Sequence, residues 1–289
     1  LVLEDLMAAA RVRAGGALTD FGEDGFRIGA HRLLDALRTE GDVSAQGAAV
    51  FGDHLIEMLK NRLIMEDYFA RYPEISEQRI GGPVVIVGLP RTGTTLLHRV
   101  LGCDRRFHAL SYWEAYYPSP ISPPGSPGED PRIQQAKDFV ARLVEANPAL
   151  LSIHPMSATE PEEEGMLLEH SFQSYFDAYF DIPSYTAWMW SSDQIPAYRS
   201  LERMLKFVQW QKRLRGEPDS PWVLKAPHHM RQLEALFAVF PDARVVQTHR
   251  DPLQTIPSIG SFAANLWKIY MNNPDPARAG RQWSDIWAR

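Results

Sequence analysis

Pro83-Val-Val-Ile-Val-Gly-Leu-Pro-Arg-Thr-Gly-Thr-Thr-Leu-Leu-His98 decides how this chain folds. The β-branched run from Val84 to Val87 reads as a short buried strand. Gly88, Pro90 and Gly93 mark a loop after it, and the apolar residues from Thr94 onward begin a helix. A strand, a glycine loop and a helix in that order aim backbone N–H groups and the positive end of a helix dipole at one point, which makes an anion site. Arg91 puts a planar cationic fork inside the loop. Thr92, Gly93, Thr94 and Thr95 supply amides and hydroxyls, and the glycines allow the backbone to approach a ligand. The same residues also fit a plain strand-to-helix turn capped by threonine, so the loop needs company to count as a site.

Outward from the loop, two further segments read as strands, 222–225 and 244–248, with a helix over 230–240 between them that Pro241-Asp242 ends. Strand, helix, strand implies a parallel pair with a right-handed crossover. Helices at 132–146, 161–181 and 196–215 fill the connection, and the proline-rich stretch 118–131 reads as an exposed loop. Residues 1–80 carry no strand signal. Three apolar faces (Val2, Leu3, Leu6 and Met7; Leu33, Leu34 and Leu37; Leu55, Ile56, Leu59, Leu63 and Ile64) predict helices separated by Gly15-Gly16, Gly22, Gly25 and Gly41. The expected architecture is α/β, with a central parallel sheet in a three-layer, P-loop-like arrangement over 81–289 and a helical amino-terminal extension over 1–80.

At 289 residues the chain can bury a full core, and its 45% hydrophobic and 23% charged content is that of an ordinary globular protein. A net charge of −6 gives no general attraction to nucleic acid or anionic lipid, so an anion site must be local. One cysteine, Cys103, excludes an internal disulfide framework and fits a reducing, cytoplasmic setting. No apolar run reaches the length of a transmembrane segment, and Glu4, Asp5 and Arg11 interrupt what a signal peptide would need. The chain starts at Leu1 rather than Met, which predicts a piece of a longer protein.

Gly88 and Gly93 have the spacing of the Walker A loop, but Thr94 stands where its lysine belongs and the cation has moved to Arg91. Gly88-Leu-Pro-Arg-Thr-Gly-Thr-Thr95 resembles the 5′-phosphosulfate loop of sulfotransferases that use 3′-phosphoadenosine 5′-phosphosulfate (PAPS). The bacterial branch and the tyrosylprotein sulfotransferases, with Pro-Arg-x-Gly-Thr-Thr, are most similar. His249-Arg250-Asp251-Pro252, with Ser258 eight positions after Arg250, resembles the family's 3′-phosphate segment. Asp20-Phe-Gly22, Tyr72-Pro-Glu74, Trp113-Glu114 and Trp222-Val-Leu-Lys-Ala-Pro227 extend the similarity from Ala17 to the end of the chain. Relatives usually continue with further helices beyond that point.

The resemblance implies that Arg91, Thr92, Gly93, Thr94 and Thr95 hold the 5′-phosphosulfate, and that Arg250 and Ser258 hold the 3′-phosphate. It implies PAPS as co-substrate and a hydroxyl or amine acceptor, whether small molecule, lipid or glycan. Lys225, leaving an apolar strand at the ligand edge, is expected to stabilise developing charge, and Arg91 to share that task. Glu114 is the expected general base, with His154 and His229 as rivals. Glu160-Pro-Glu-Glu-Glu164 could suggest a metal, but fits compensation of a helix dipole better. No zinc-ligand spacing occurs and no metal is expected. The aromatics from Phe172 to Trp190 read as core with some share in an acceptor pocket. A small-molecule kinase would need the missing lysine. A non-catalytic nucleotide-binding module would bind without transfer.

Overall fold

A computed structural model describes residues 1–146 and 156–288 of the chain. The amino-terminal part is helical, with α1 (Leu3–Arg13), α2 (Gly25–Thr39) and α3 (Ala45–Arg71). The Ser44 side chain caps α3 by accepting from the Gly47 amide, which satisfies one of the helix's orphan donors. Then follow β1 (Val84–Val87), α4 (Thr94–Gly102), β2 (His108–Ala109), α5 (Tyr112–Tyr116) and α6 (Pro131–Ala146). After them come α7 (Gly165–Glu169), α8 (Pro183–Ser191), α9 (Ile195–Leu214), β3 (Trp222–Lys225) and α10 (Leu233–Val239). The described chain closes with β4 (Arg244–Gln247), α11 (Pro252–Tyr270) and α12 (Pro276–Ala288).

The four strands form one parallel sheet in the order β2-β3-β1-β4. Ile86 of β1 pairs with Lys225 of β3, and Val87 pairs with Gln247 of β4. Side chains alternate across the sheet. Val85, Val87, Trp222 and Leu224 join a core with Leu201, Leu205 and Phe207 of α9 and Leu236 of α10. Against β3 lies α4, whose buried His98 has Nε2 3.3 Å from the Val223 carbonyl. Since β1 has β3 on one side and β4 on the other, the carboxyl ends of β1 and β4 flank the crevice where open α/β sheets bind ligands.

The amino-terminal helices are not isolated from the rest. Leu6, Phe26, Leu33, Phe51, Leu55 and Leu59 share one apolar core with Phe172, Phe176 and Phe180 and with Ile259 and Trp267 of α11 and Trp283 of α12. A continuous helix over 161–181 is not what forms. Only Gly165–Glu169 is α-helical there, followed by a 3₁₀ turn at Phe176–Ala178. Phe172 takes a left-handed φ of 57°, which no helix continues through, and its carbonyl accepts from the Tyr185 hydroxyl at 2.9 Å. The helix expected over 230–240 is likewise split into a 3₁₀ turn, Pro227–Arg231, and α10. The two-residue β2 is too short to carry a periodicity in the sequence. None of the helices in the described residues is long and apolar enough to cross a membrane.

Candidate active site

The loop between β1 and α4 is held open by backbone geometry. Gly88 has φ 153° and lies so close to the segment after β4 that a Cβ there would meet Thr248 Oγ1 at 2.5 Å and its carbonyl oxygen at 2.8 Å. Gly93 caps α4 with φ 94° and has nothing within 4 Å of where its Cβ would be, so the space before the helix is clear. The first amides of α4 have no carbonyl one turn earlier to bond, and they face that space as donors. Arg91 itself sits at φ 73°, a region that costs a non-glycine residue about 1 kcal/mol or more. Such strain persists where surrounding contacts hold it.

Those contacts come from β4 and α11. The Thr248 amide donates to the Val87 carbonyl at 2.9 Å, extending the β1–β4 pairing by one step. The hydroxyls of Thr92 and Thr248 meet at 2.6 Å, and Thr92 also bonds the Leu89 carbonyl at 2.7 Å. Arg91 Nε donates to Ser258 Oγ at 3.2 Å. Arg250 leaves β4 at the same edge, its Nε donating to Gln254 Oε1 at 3.0 Å. Arg91, Thr92, Gly93, Thr94, Thr95, Arg250 and Ser258 are therefore gathered around one sheet edge. Thr94 is the buried member, while both arginines and Gly93 are exposed.

Lys225 ends β3 beside β1 and is buried to 1% exposure. Its ammonium is ion-paired with Glu163, whose other oxygen accepts from the Tyr175 hydroxyl at 3.1 Å. Its backbone amide donates to Glu164 Oε2 at 2.8 Å. Glu164 Oε1 is bonded to His229 Nε2, and His229 Nδ1 lies 2.7 Å from the Tyr198 hydroxyl. Burial alone would raise the Glu164 carboxyl, but His229 and the Lys225 amide outweigh it and hold the group below the ordinary carboxylate range. The helix-dipole reading of Glu160–Glu164 thus needs correction: Glu163 and Glu164 turn inward, onto Lys225 and His229.

Glu114 also departs from expectation. It is buried at 2% exposure, and its Oε2 accepts from the Ser111 amide at 3.0 Å within a capping box. Its Oε1 lies 2.5 Å from Arg215 and 3.0 Å from Lys212. Burial pushes this carboxyl up, yet Lys212 and Arg215 pull it lower still. It lies beyond β2, the strand at the far edge of the sheet from β4, with both oxygens committed. Glu114 is thus tied to Ser111, Lys212 and Arg215, and Glu163 rather than Glu114 is the carboxylate that meets Lys225. His229, one of the rival bases, has both ring nitrogens engaged, by Glu164 and Tyr198. His154 lies outside the described residues. Most aromatics of 172–190 are core, including Phe172, Phe176, Phe180 and Tyr185. Tyr175, reaching Glu163, is the one that touches the site. No spacing in the chain could have paired Glu164 with Lys225, which is 61 residues away. Among the described residues no cluster of three or more His, Cys, Asp or Glu side chains could hold a metal ion.

Residues 83–289 match the sulfotransferase family. Omega-hydroxy-beta-dihydromenaquinone-9 sulfotransferase Stf3 of Mycobacterium bovis and of Mycobacterium tuberculosis is 26% identical over 199 residues, 65% of this chain and 47% of the relative. The chain thus spans about half the length of these curated relatives. Among solved structures, sulfotransferase STF1 from Mycobacterium tuberculosis H37Rv superposes with a TM-score of 0.87 at 33% identity, covering 100% of this chain and 78% of that one. Sulfotransferase STF9 from Mycobacterium avium gives 0.82 at 26% identity, covering 99% and 72%.

Proposed function

The chain belongs to the sulfotransferase family, and from that premise we propose that it moves a sulfuryl group from PAPS to a hydroxyl or amine acceptor by in-line displacement. The observation that carries this reading is the junction of two cationic loops, Arg91 against Ser258 and Thr92 against Thr248, at the carboxyl ends of β1 and β4. The α4 amides and Arg91 hold the 5′-phosphosulfate, while Arg250 and Ser258 take the 3′-phosphate.

Glu163 is the general base in this proposal. It is the carboxylate paired with Lys225 at the sheet edge next to the loop, and it keeps 19% side-chain exposure. Taking the acceptor's proton neutralises Glu163 and loosens its hold on the Lys225 ammonium. The ammonium is then available to the bridging oxygen, where charge builds as 3′,5′-ADP departs. Arginine and lysine supply the countercharge in this scheme. The acceptor we propose is a small molecule or lipid bearing a hydroxyl. The mycobacterial relative Stf3, an omega-hydroxy-beta-dihydromenaquinone-9 sulfotransferase, supports that class.

Calorimetric titration with 3′,5′-ADP and 5′-AMP tests the donor reading. Tighter binding of the bisphosphate by tenfold or more is expected. Equal affinities would remove the case for a 3′-phosphate site.

A further inference from the structure

The sheet is incomplete at the residue the reaction needs most. Within β3, the Val223 and Lys225 amides point toward β2, since alternate residues of a parallel strand bond to the same neighbour. β2 pairs only as far as Ala109 with Val223, so no strand reaches Lys225 on that side. The Lys225 amide is met instead by Glu164 Oε2 at 2.8 Å. One side chain therefore stands in for a missing strand, and its position fixes the backbone from which the Lys225 ammonium projects. Its neighbour Glu163 holds the ammonium itself. Any shift of Glu164 moves both ends of the lysine.

Glu164 is in turn held from behind. Its second oxygen bonds His229 Nε2. An ionised carboxylate only accepts, so Nε2 carries a proton, and Nδ1 shares a hydrogen bond with the Tyr198 hydroxyl at 2.7 Å. Tyr198 comes from α9 and is fixed in the core under the sheet. Glu164, His229 and Tyr198 are all fully buried. Every polar atom of the three side chains is engaged, an arrangement that specifies a single geometry.

We infer that Tyr198, His229 and Glu164 form a positioning relay that fixes Lys225 against the donor loop, with His229 acting through Glu164 and none of the three touching substrate. The inference rests on the sulfuryl-transfer reading for its catalytic consequence, but its geometric content stands apart from it.

Three measurements on the whole chain, made on His229→Phe, His229→Gln and Tyr198→Phe, test it. Amide hydrogen exchange by NMR reads the geometry directly. His229→Phe is expected to speed exchange at Lys225 by at least tenfold relative to Leu224, whose amide bonds toward β1. Sulfate release from PAPS with water as acceptor reads turnover. His229→Phe is expected to cut it by at least tenfold with 3′,5′-ADP affinity unchanged, His229→Gln to recover much of it, and Tyr198→Phe to lie between. The pH dependence of that turnover is expected to shift in His229→Phe, which lost fold stability alone would not cause. Unchanged Lys225 exchange together with turnover within twofold of the parent overturns the relay. If His229→Phe fails to fold, Tyr198→Phe, which deletes one hydroxyl, carries the same comparison. A parent protein that does not prefer 3′,5′-ADP over 5′-AMP defeats the donor reading instead, and the exchange result still decides the geometry.

Discussion

Arg91 and Ser258 stand 167 residues apart and meet at 3.2 Å, guanidinium Nε donating to hydroxyl. One residue belongs to the loop after β1 and the other to the helix after β4. Their contact makes the two expected phosphate anchors a single continuous surface, and a ligand with charge at both ends of a ribose can touch both.

Removing the Ser258 hydroxyl is expected to weaken 3′,5′-ADP binding about tenfold, because a hydrogen bond to a charged group is worth about 1.5 kcal/mol or somewhat more. Arg250→Ala should cost more, up to about a hundredfold, by the same scale for charged partners. Affinity for 5′-AMP should change little in either variant. Calorimetry with both nucleotides checks the contrast, and a uniform loss for both would place these residues elsewhere in the ligand.

Glu163→Gln and Glu114→Gln should fail in different ways. The first is expected to lower sulfate release from PAPS by about a hundredfold or more, the usual effect of losing a general base. Its melting temperature should also fall, because the buried Lys225 ammonium loses its partner, so the loss is read as turnover per folded molecule. The second breaks a buried ion pair with Lys212 and Arg215, which costs about 3–5 kcal/mol. A marked fall in melting temperature with turnover per folded molecule preserved is the expected result.

Gly88→Ala should abolish nucleotide binding while leaving most of the fold intact. The added methyl has to displace Thr248, whose carbonyl and hydroxyl lie 2.8 and 2.5 Å from it. Backbone cannot yield as a flexible side chain does, so the loops after β1 and β4 must part. Loss of 3′,5′-ADP affinity with a retained far-ultraviolet circular dichroism spectrum is the outcome to look for.

Asp177 sets a pH dependence of stability. Burial pushes its carboxyl up to about 7, and neither of its oxygens has a hydrogen-bond partner to offset that. In the unfolded chain the group titrates near 4. Between these values the folded protein keeps a proton that the unfolded chain has lost, so the stabilisation is full below about pH 4 and disappears as pH rises through about 7. Asp177→Asn should remove this slope, which amounts to a few kcal/mol on the order set by roughly 1.4 kcal/mol per pH unit. Urea unfolding of both proteins at pH 5, 6, 7 and 8 measures the difference between them. Parallel curves would show that the carboxyl is not buried as described.

The glycine loop after β1 was legible because its signals are local. Glycine spacing, one arginine and a strand-to-helix transition all lie within Pro83–His98, and the second anchor, Arg250 with Ser258, falls within nine residues. The partner of Lys225 was not legible for the opposite reason. Glu114 stands beside Trp113, while Glu163 lies in an acidic run that reads as compensation of a helix dipole. Only tertiary packing shows that Glu163 meets Lys225 whereas Glu114 meets Lys212 and Arg215.

Taken alone, the sequence determined the three main strands, the helical amino-terminal region and the glycine loop between β1 and α4, since periodicity and backbone freedom act over a few residues. The tertiary structure alone decided the partner of each buried charge. Glu164 faces the Lys225 amide because β2 ends two residues early, and Glu114 is consumed by Lys212 and Arg215 from α9 and the residue after it. Buried charges must be paired wherever packing brings them together, and packing joins segments that the linear order keeps far apart.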